Sequence, residues 1–157
     1  HSQDPAAPAW KTVYKHLNGS PVHVRREFAF EPARARWLRV AIQAANSSQA
    51  RIDELEVYGP SGKTNLALAS RGAKASASSC LRGYVQHAIE HLNDGLYGNG
   101  QSWLGNEVGA ISGEVYCGIY FGDGARLIDA IALGRDNTGA HHTVICPRNM
   151  GLGMRGL

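Results

Sequence analysis

Charge is scarce in this chain: Asp, Glu, Lys and Arg together make up 18% of 157 residues, against 19 glycines. That balance fits a turn-rich β domain better than a helical bundle, because glycine weakens helix interiors and serves turns that need positive φ. No apolar run approaches the roughly 18 residues that a membrane-spanning helix needs, and no segment reads as a signal peptide. No GxSxG, HExxH or phosphate-binding loop is present, so nothing supports a serine hydrolase, a zinc protease or a nucleotide hydrolase. The three cysteines, Cys80, Cys117 and Cys146, fit no CxxC or Cys/His spacing. This argues against a zinc-thiolate site and leaves three disulfide pairings open.

Arg25, Arg26, Arg34, Arg36 and Arg39 account for much of the net charge of +3. Without a recognition helix or an aromatic RNA-binding motif beside them, they read as a solvated sheet face, and nucleic acid is not an expected partner. Asp53, Glu54 and Glu56 are close in sequence, but strand alternation separates neighbours. A glycosidase needs two carboxylates about 5–9 Å apart across one bond. His141 and His142, being adjacent, would face opposite ways on a strand.

The length suits one hydrophobic core and is short for two. Residues 1–9 are polar and read as a flexible arm. Alternating apolar patterns mark strands at WKTVY (10–14), VHVRREFAF (22–30, where Pro32 ends it or begins a short bridge), RWLRVAI (36–42), EVYCGIYFG (114–122) and RLIDAIALGRD (126–136). In RWLRVAI, Trp37 is out of phase with Leu38, Val40 and Ile42. The strands at 114–122 and 126–136, joined by a turn at Asp123 and Gly124, are expected to pair as a hairpin. YVQHAIEHL (84–92) spaces Val85, Ala88, Ile89 and Leu92 as a short helix of one or two turns would. In IDELEVYG (52–59) either phase puts a carboxylate among apolar side chains, so one acid turns inward, as a metal would justify. PSGKTN (60–65) reads as a turn or linker, HHTVIC (141–146) as the last strand, and 147–157 as a poorly ordered tail.

Five segments, FEPARARWLRVAI, ELEVYG, NLALASRGAKASASS, NDGLYGNGQSW and VYCGIYFGDGARLIDAIALGRD, jointly resemble discoidin (F5/8 type C) domains, which are galactose-binding-like modules. The order is inverted. The ExxVYG strand, which closes such domains, here precedes the DG…W loop, which lies early in them. Residues 10–59 resemble the family's C-terminal strands and 65–146 its N-terminal strands. Either the chain holds the tail of one repeat and the head of the next, or it is a circular permutant that closes as one sandwich. Permutation is favoured, because close termini tolerate it and two half-sandwiches would expose unpaired edges. The implied fold is an all-β jelly-roll β-sandwich over residues 10–146.

The resemblance also implies chemistry. Many family members hold a structural Ca2+, for which Asp94 of the DG turn and Glu54 of ExxVYG match, with further oxygens near Asn93, Tyr97, Asn99 and Ser102. Calcium takes six to eight oxygens, so such a turn is suitable. Ligand loops would lie at the same end, with candidates Arg135, Asp136, Asn137, Asn46, Ser47, Asn106, His87 and Trp103, although the family's tryptophan more often packs beneath the turn. The expectation is a non-catalytic carbohydrate-binding module of an exported multidomain protein, extracellular, cell-surface or periplasmic. Its partners would be a glycan or polysaccharide and the other domains of the parent protein. The alternative is a structural or protein-docking module in a larger extracytoplasmic enzyme, with no sugar ligand. Anionic-lipid binding would need apolar spikes, for which Leu96 and Leu104 are the candidates, and a membrane is not an expected partner.

Overall fold

The computed structural model describes residues 10–16, 25–45, 49–98, 100–107, 115–134 and 147–156. Among the described residues ten strands dominate: β1 (Lys11–His16), β2 (Arg26–Ala35), β3 (Trp37–Ala45), β4 (Gln49–Ile52), β5 (Glu54–Tyr58), β6 (Lys74–Ala77), β7 (Trp103–Glu107), β8 (Val115–Tyr120), β9 (Arg126–Gly134) and β10 (Pro147–Arg155). They form three antiparallel sheets, ordered β1-β10-β3-β8-β6, β2-β9-β5 and β4-β7. The mostly-β architecture agrees with the all-β sandwich expected from the alternating strands.

Every sheet mixes strands from both sides of Pro60. β1 and β3 share a sheet with β6, β8 and β10, while β9 lies between β2 and β5. Leu38, Val40 and Ile42 of β3 face the same core as Cys117 and Ile119 of the adjacent β8. Phe28, Leu55, Val57, Trp103, Ile128 and Ile131 belong to the same buried cluster. Burying each large side chain of this kind is worth roughly 1.5–3 kcal/mol. Both segments contribute to this one buried cluster.

The seam at residues 60–65 is a tight structure. Gly62 N–H donates to the Gly59 carbonyl at 2.8 Å, and Asn65 Oδ1 accepts from the amides of both Val57 and Ala67 at 3.0 Å. Leu66 N–H adds a bond to the Val57 carbonyl. These contacts occupy the free edge of β5 as it passes into the second segment.

Four expectations are corrected. Residues 147–155, expected as a loose tail, form β10 between β1 and β3, with Leu152 and Met154 buried in the core. Glycines at 151 and 153 hid the alternation by leaving every second position without a side chain. HHTVIC lies outside the described residues, and it is β10 that pairs with β1. β8 and β9 do not form a hairpin: β8 pairs with β3 and β6, and β9 with β2 and β5. Alternation shows which face is buried and not which strand is adjacent, and residues 121–125 carry the chain from one sheet to the other. Pro32 does not end β2. It falls where the β2–β9 register shifts between Ala29 and Ala33, an irregularity that accommodates a residue lacking an N–H. Residues 84–92 form two short 3₁₀ segments, Val85–His87 and Ile89–Asn93, separated by extended Ala88 at φ −71° and ψ 157°. Val85 remains exposed, so the helical spacing does not mark one buried stripe.

Candidate functional site

The site forms where β5 meets the loop at 94–98. Asp53, at a bend between β4 and β5, and Glu54 and Glu56 of β5 are all buried, a costly concentration of carboxylates unless each is compensated. Each holds one part of the loop. Asp53 Oδ2 accepts from Gly98 N–H at 3.0 Å, Glu54 Oε2 from Gly95 N–H at 3.0 Å, and Glu56 Oε1 from the Tyr97 hydroxyl at 2.9 Å. Gly95 has φ +88°, a conformation that suits glycine and lets its amide reach Glu54.

The three carboxylates differ electrostatically. Glu56 also receives a two-pronged contact from Arg25, at 2.9 and 2.8 Å, and the Tyr58 hydroxyl. Burial acts to raise its pKa, but the bonds from Arg25, Tyr58 and Tyr97 outweigh it and hold the carboxyl below the usual range. Glu54 has no such cation. Burial pushes it up to about 8, the Gly95 amide opposes this, and the nearby Asp94 and Glu56 carboxylates push further upward. Glu54 Oε1 is buried with no hydrogen-bond partner.

Asp94 is braced from the other side. Its Oδ1 accepts from Leu96 N–H at 2.9 Å, and its Oδ2 lies 2.8 Å from His91 Nδ1. His91 Nε2 is 2.9 Å from the Val85 carbonyl. With acceptors at both ring nitrogens the imidazolium is favoured, and the His91 pKa is raised, first by the hydrogen bond to Asp94.

The Gly95 amide's bond to Glu54 brings the adjacent Asp94 close enough for its charge to act on Glu54. The other residues named for the metal have different surroundings. Tyr97 donates its hydroxyl to Glu56, and burial raises its pKa. Asn93 is buried, and its Nδ2 ties residues 67 and 73 together through their carbonyls at 2.8 and 3.3 Å. Ser102 is buried with its hydroxyl between Arg51 Nε at 2.8 Å and His87 Nδ1 at 3.0 Å. Asn99 lies outside the described residues. No group of three His, Cys, Asp or Glu side chains suited to a metal is found among the described residues, so an ion at Glu54 and Asp94 would draw on backbone oxygens as well.

Of the candidate ligand-contacting residues, Trp103 is fully buried and donates Nε1–H to the Ser79 carbonyl at 2.9 Å. It cannot present a ring face to a ligand and instead fills the core beneath the loops. His87 is half-buried against Ser102 and near Tyr84. Asn106 lies in β7. Asn46, Ser47, Arg135, Asp136 and Asn137 lie outside the described residues. Leu104 is buried in β7, whereas Leu96, Tyr84 and Val85 are exposed. Cys80 and Cys117 are free thiols, and Cys146 lies outside the described residues.

Asp53, Glu56, His91 and Arg25 join the site although none was among the residues named for it. Three acids in four positions before a strand-ending glycine were a visible signal; the Arg25 contact, 31 residues away in sequence, was not. The chain matches no known protein-family signature, and a search of curated proteins finds no significant match. Among the described residues no helix is long and apolar enough to cross a membrane.

Proposed function

We propose that this chain is a non-catalytic carbohydrate-binding module of an exported multidomain protein, a circularly permuted discoidin-type jelly roll with one structural calcium. The observation that carries this reading is the Gly95 amide's bond to Glu54 at 3.0 Å, which sets Asp94 of the DG turn beside Glu54 across the seam, with Glu54 Oε1 buried and unpartnered. An unpaired buried carboxylate oxygen beside a second carboxylate fits a hard, oxygen-preferring cation. Glu54 and Asp94 would hold the ion, whose charge would offset their repulsion. Gly95, Tyr97 and Gly98, already tied to β5, would keep the loop in place around it.

The ligand is a glycan, for which the family resemblance names Arg135, Asp136, Asn137, Asn46 and Ser47 as polar contacts. A glycan array with calcium present tests it. Selective binding that is lost in the Arg135→Ala/Asn137→Ala double variant supports the reading; signals no higher than the variant's contradict it.

A further inference from the structure

The Glu56 carboxylate receives four donors. Arg25 Nε and the Tyr97 hydroxyl each donate to Oε1 at 2.9 Å, while Arg25 Nη2, at 2.8 Å, and the Tyr58 hydroxyl donate to Oε2. Arg25 stands just before β2 and reaches β5 across the central strand β9. The register sets Ala132 of β9 between Glu27 and Glu56, and Gly134 opposite Glu54, so the central strand has little bulk at the level where the long side chain crosses. Glu27 and Asp129 line a cavity of ≈ 340 Å³ together with Arg25, yet Nε and Nη2 both lie on Glu56, side by side as a planar carboxylate requires. The Arg25 side chain is 44% exposed, and a single-pronged ion pair so placed would contribute little; the two-pronged form is the exception.

We propose that Arg25 is a positioning residue for the loop at 94–98: it fixes Glu56 in the orientation that receives Tyr97, and so holds the loop over Glu54 before an ion binds. Three contacts tie this loop to residues 53–56. Those at Gly95 and Gly98 end on backbone amides and fix the chain on either side of Tyr97. The contact at Tyr97 joins two side chains, each with rotamers of its own, and it persists only where Glu56 is itself held. With Arg25 in place, turning Glu56 would break the two-pronged contact and leave a buried charge short of donors. Without Arg25, half of those donors are gone. The carboxylate would then add its uncompensated charge to that of Glu54, two residues away on the same face of β5. A loop ordered in advance spares the ion the free energy of ordering it. The inference rests on the proposed calcium site for what the loop receives, but the ordering itself needs no ion.

The test is amide hydrogen exchange of the whole chain in chelator, read residue by residue, followed by calorimetric titration with calcium. Arg25→Gln should speed exchange at Gly95 and Gly98 about tenfold while the amides of β8 keep their protection. Tyr97→Phe, which removes only the hydroxyl, should do the same, and the double variant should exchange no faster than either single one, because both changes cut one chain of contacts. Arg25→Lys, which keeps the charge but not the planar fork, should fall between wild type and Arg25→Gln; it and Tyr97→Phe serve if Arg25→Gln fails to fold. Lys63→Gln, a charge-matched change beside the same cavity, should leave both amides protected. Calcium affinity should fall about tenfold in Arg25→Gln. Unchanged exchange in Arg25→Gln, equal loss with Lys63→Gln, additive loss in the double variant, or calcium bound as tightly by Arg25→Gln as by the wild type would overturn the proposal. Absence of calcium binding by the wild type would contradict the calcium reading alone, and the exchange rates would still decide the role of Arg25.

Discussion

The Gly95 amide donates to Glu54 at 3.0 Å across 41 residues of sequence, while the other Glu54 carboxylate oxygen is buried and has no partner. One carboxylate thus both anchors the loop and presents an unmet acceptor. Glu54→Gln keeps the anchoring oxygen and removes the charge. In chelator at pH 8 the variant should be more stable than the wild type by about 1–3 kcal/mol, because a buried charge without compensation is lost. Its unfolding midpoint should no longer respond to calcium. Denaturant unfolding in chelator and in calcium checks both.

The pH dependence follows from two neighbours of opposite sign. The folded-state pKa of Glu54, about 8, lies above its ordinary 4.5, so its contribution is fully present below pH 4.5 and is lost as pH rises toward 8. Glu56 is held below 4.5, so its contribution is present above that value and lost as pH falls through the folded pKa. In chelator the melting temperature should therefore decline from pH 5 to 8. Calcium, which binds the ionised form, should flatten or reverse that slope. A melting series at both conditions reads it directly.

Deleting residues 147–157 should abolish the fold. β10 bridges β1 and β3 and buries Leu152 and Met154, so its loss would leave β1 unpaired and open the core. Collapse of near-ultraviolet circular dichroism and of dispersed amide resonances is the expected outcome; a native spectrum would show that β10 is dispensable.

Gly118→Ala should destabilise the protein by about 1–3 kcal/mol. The added Cβ would press into the Leu38 carbonyl oxygen and lie 3.1 Å from Arg39 Cα, so β3 and β8 must separate. The shift in denaturant midpoint measures it.

Much of the β architecture was legible, since alternation in RWLRVAI and EVYCGIYFG reports a buried face directly, and Leu38, Val40, Cys117 and Ile119 are indeed core. Pairing was less so. Nothing local says that β8 joins β3 rather than β9, because adjacency is decided by long-range packing. β10 was hidden by its glycines, and the 3₁₀ segments by a helical spacing that extended Ala88 interrupts. At the site, the acids of IDELEVYG announced an inward carboxylate, and the DG turn supplied its neighbour. The partners that set each acid's charge, Arg25 and His91, arrive through tertiary contacts.

The central claim, a permuted sandwich whose two segments jointly hold calcium, is tested most directly by thermal unfolding of the wild-type chain with chelator and with saturating calcium. An ion bound only by the folded state adds about 2.7 kcal/mol at a hundredfold excess over its Kd. For a domain of this size that is a rise on the order of 5–10 °C, and it should vanish in both Glu54→Gln and Asp94→Asn. An unchanged wild-type midpoint would contradict the account.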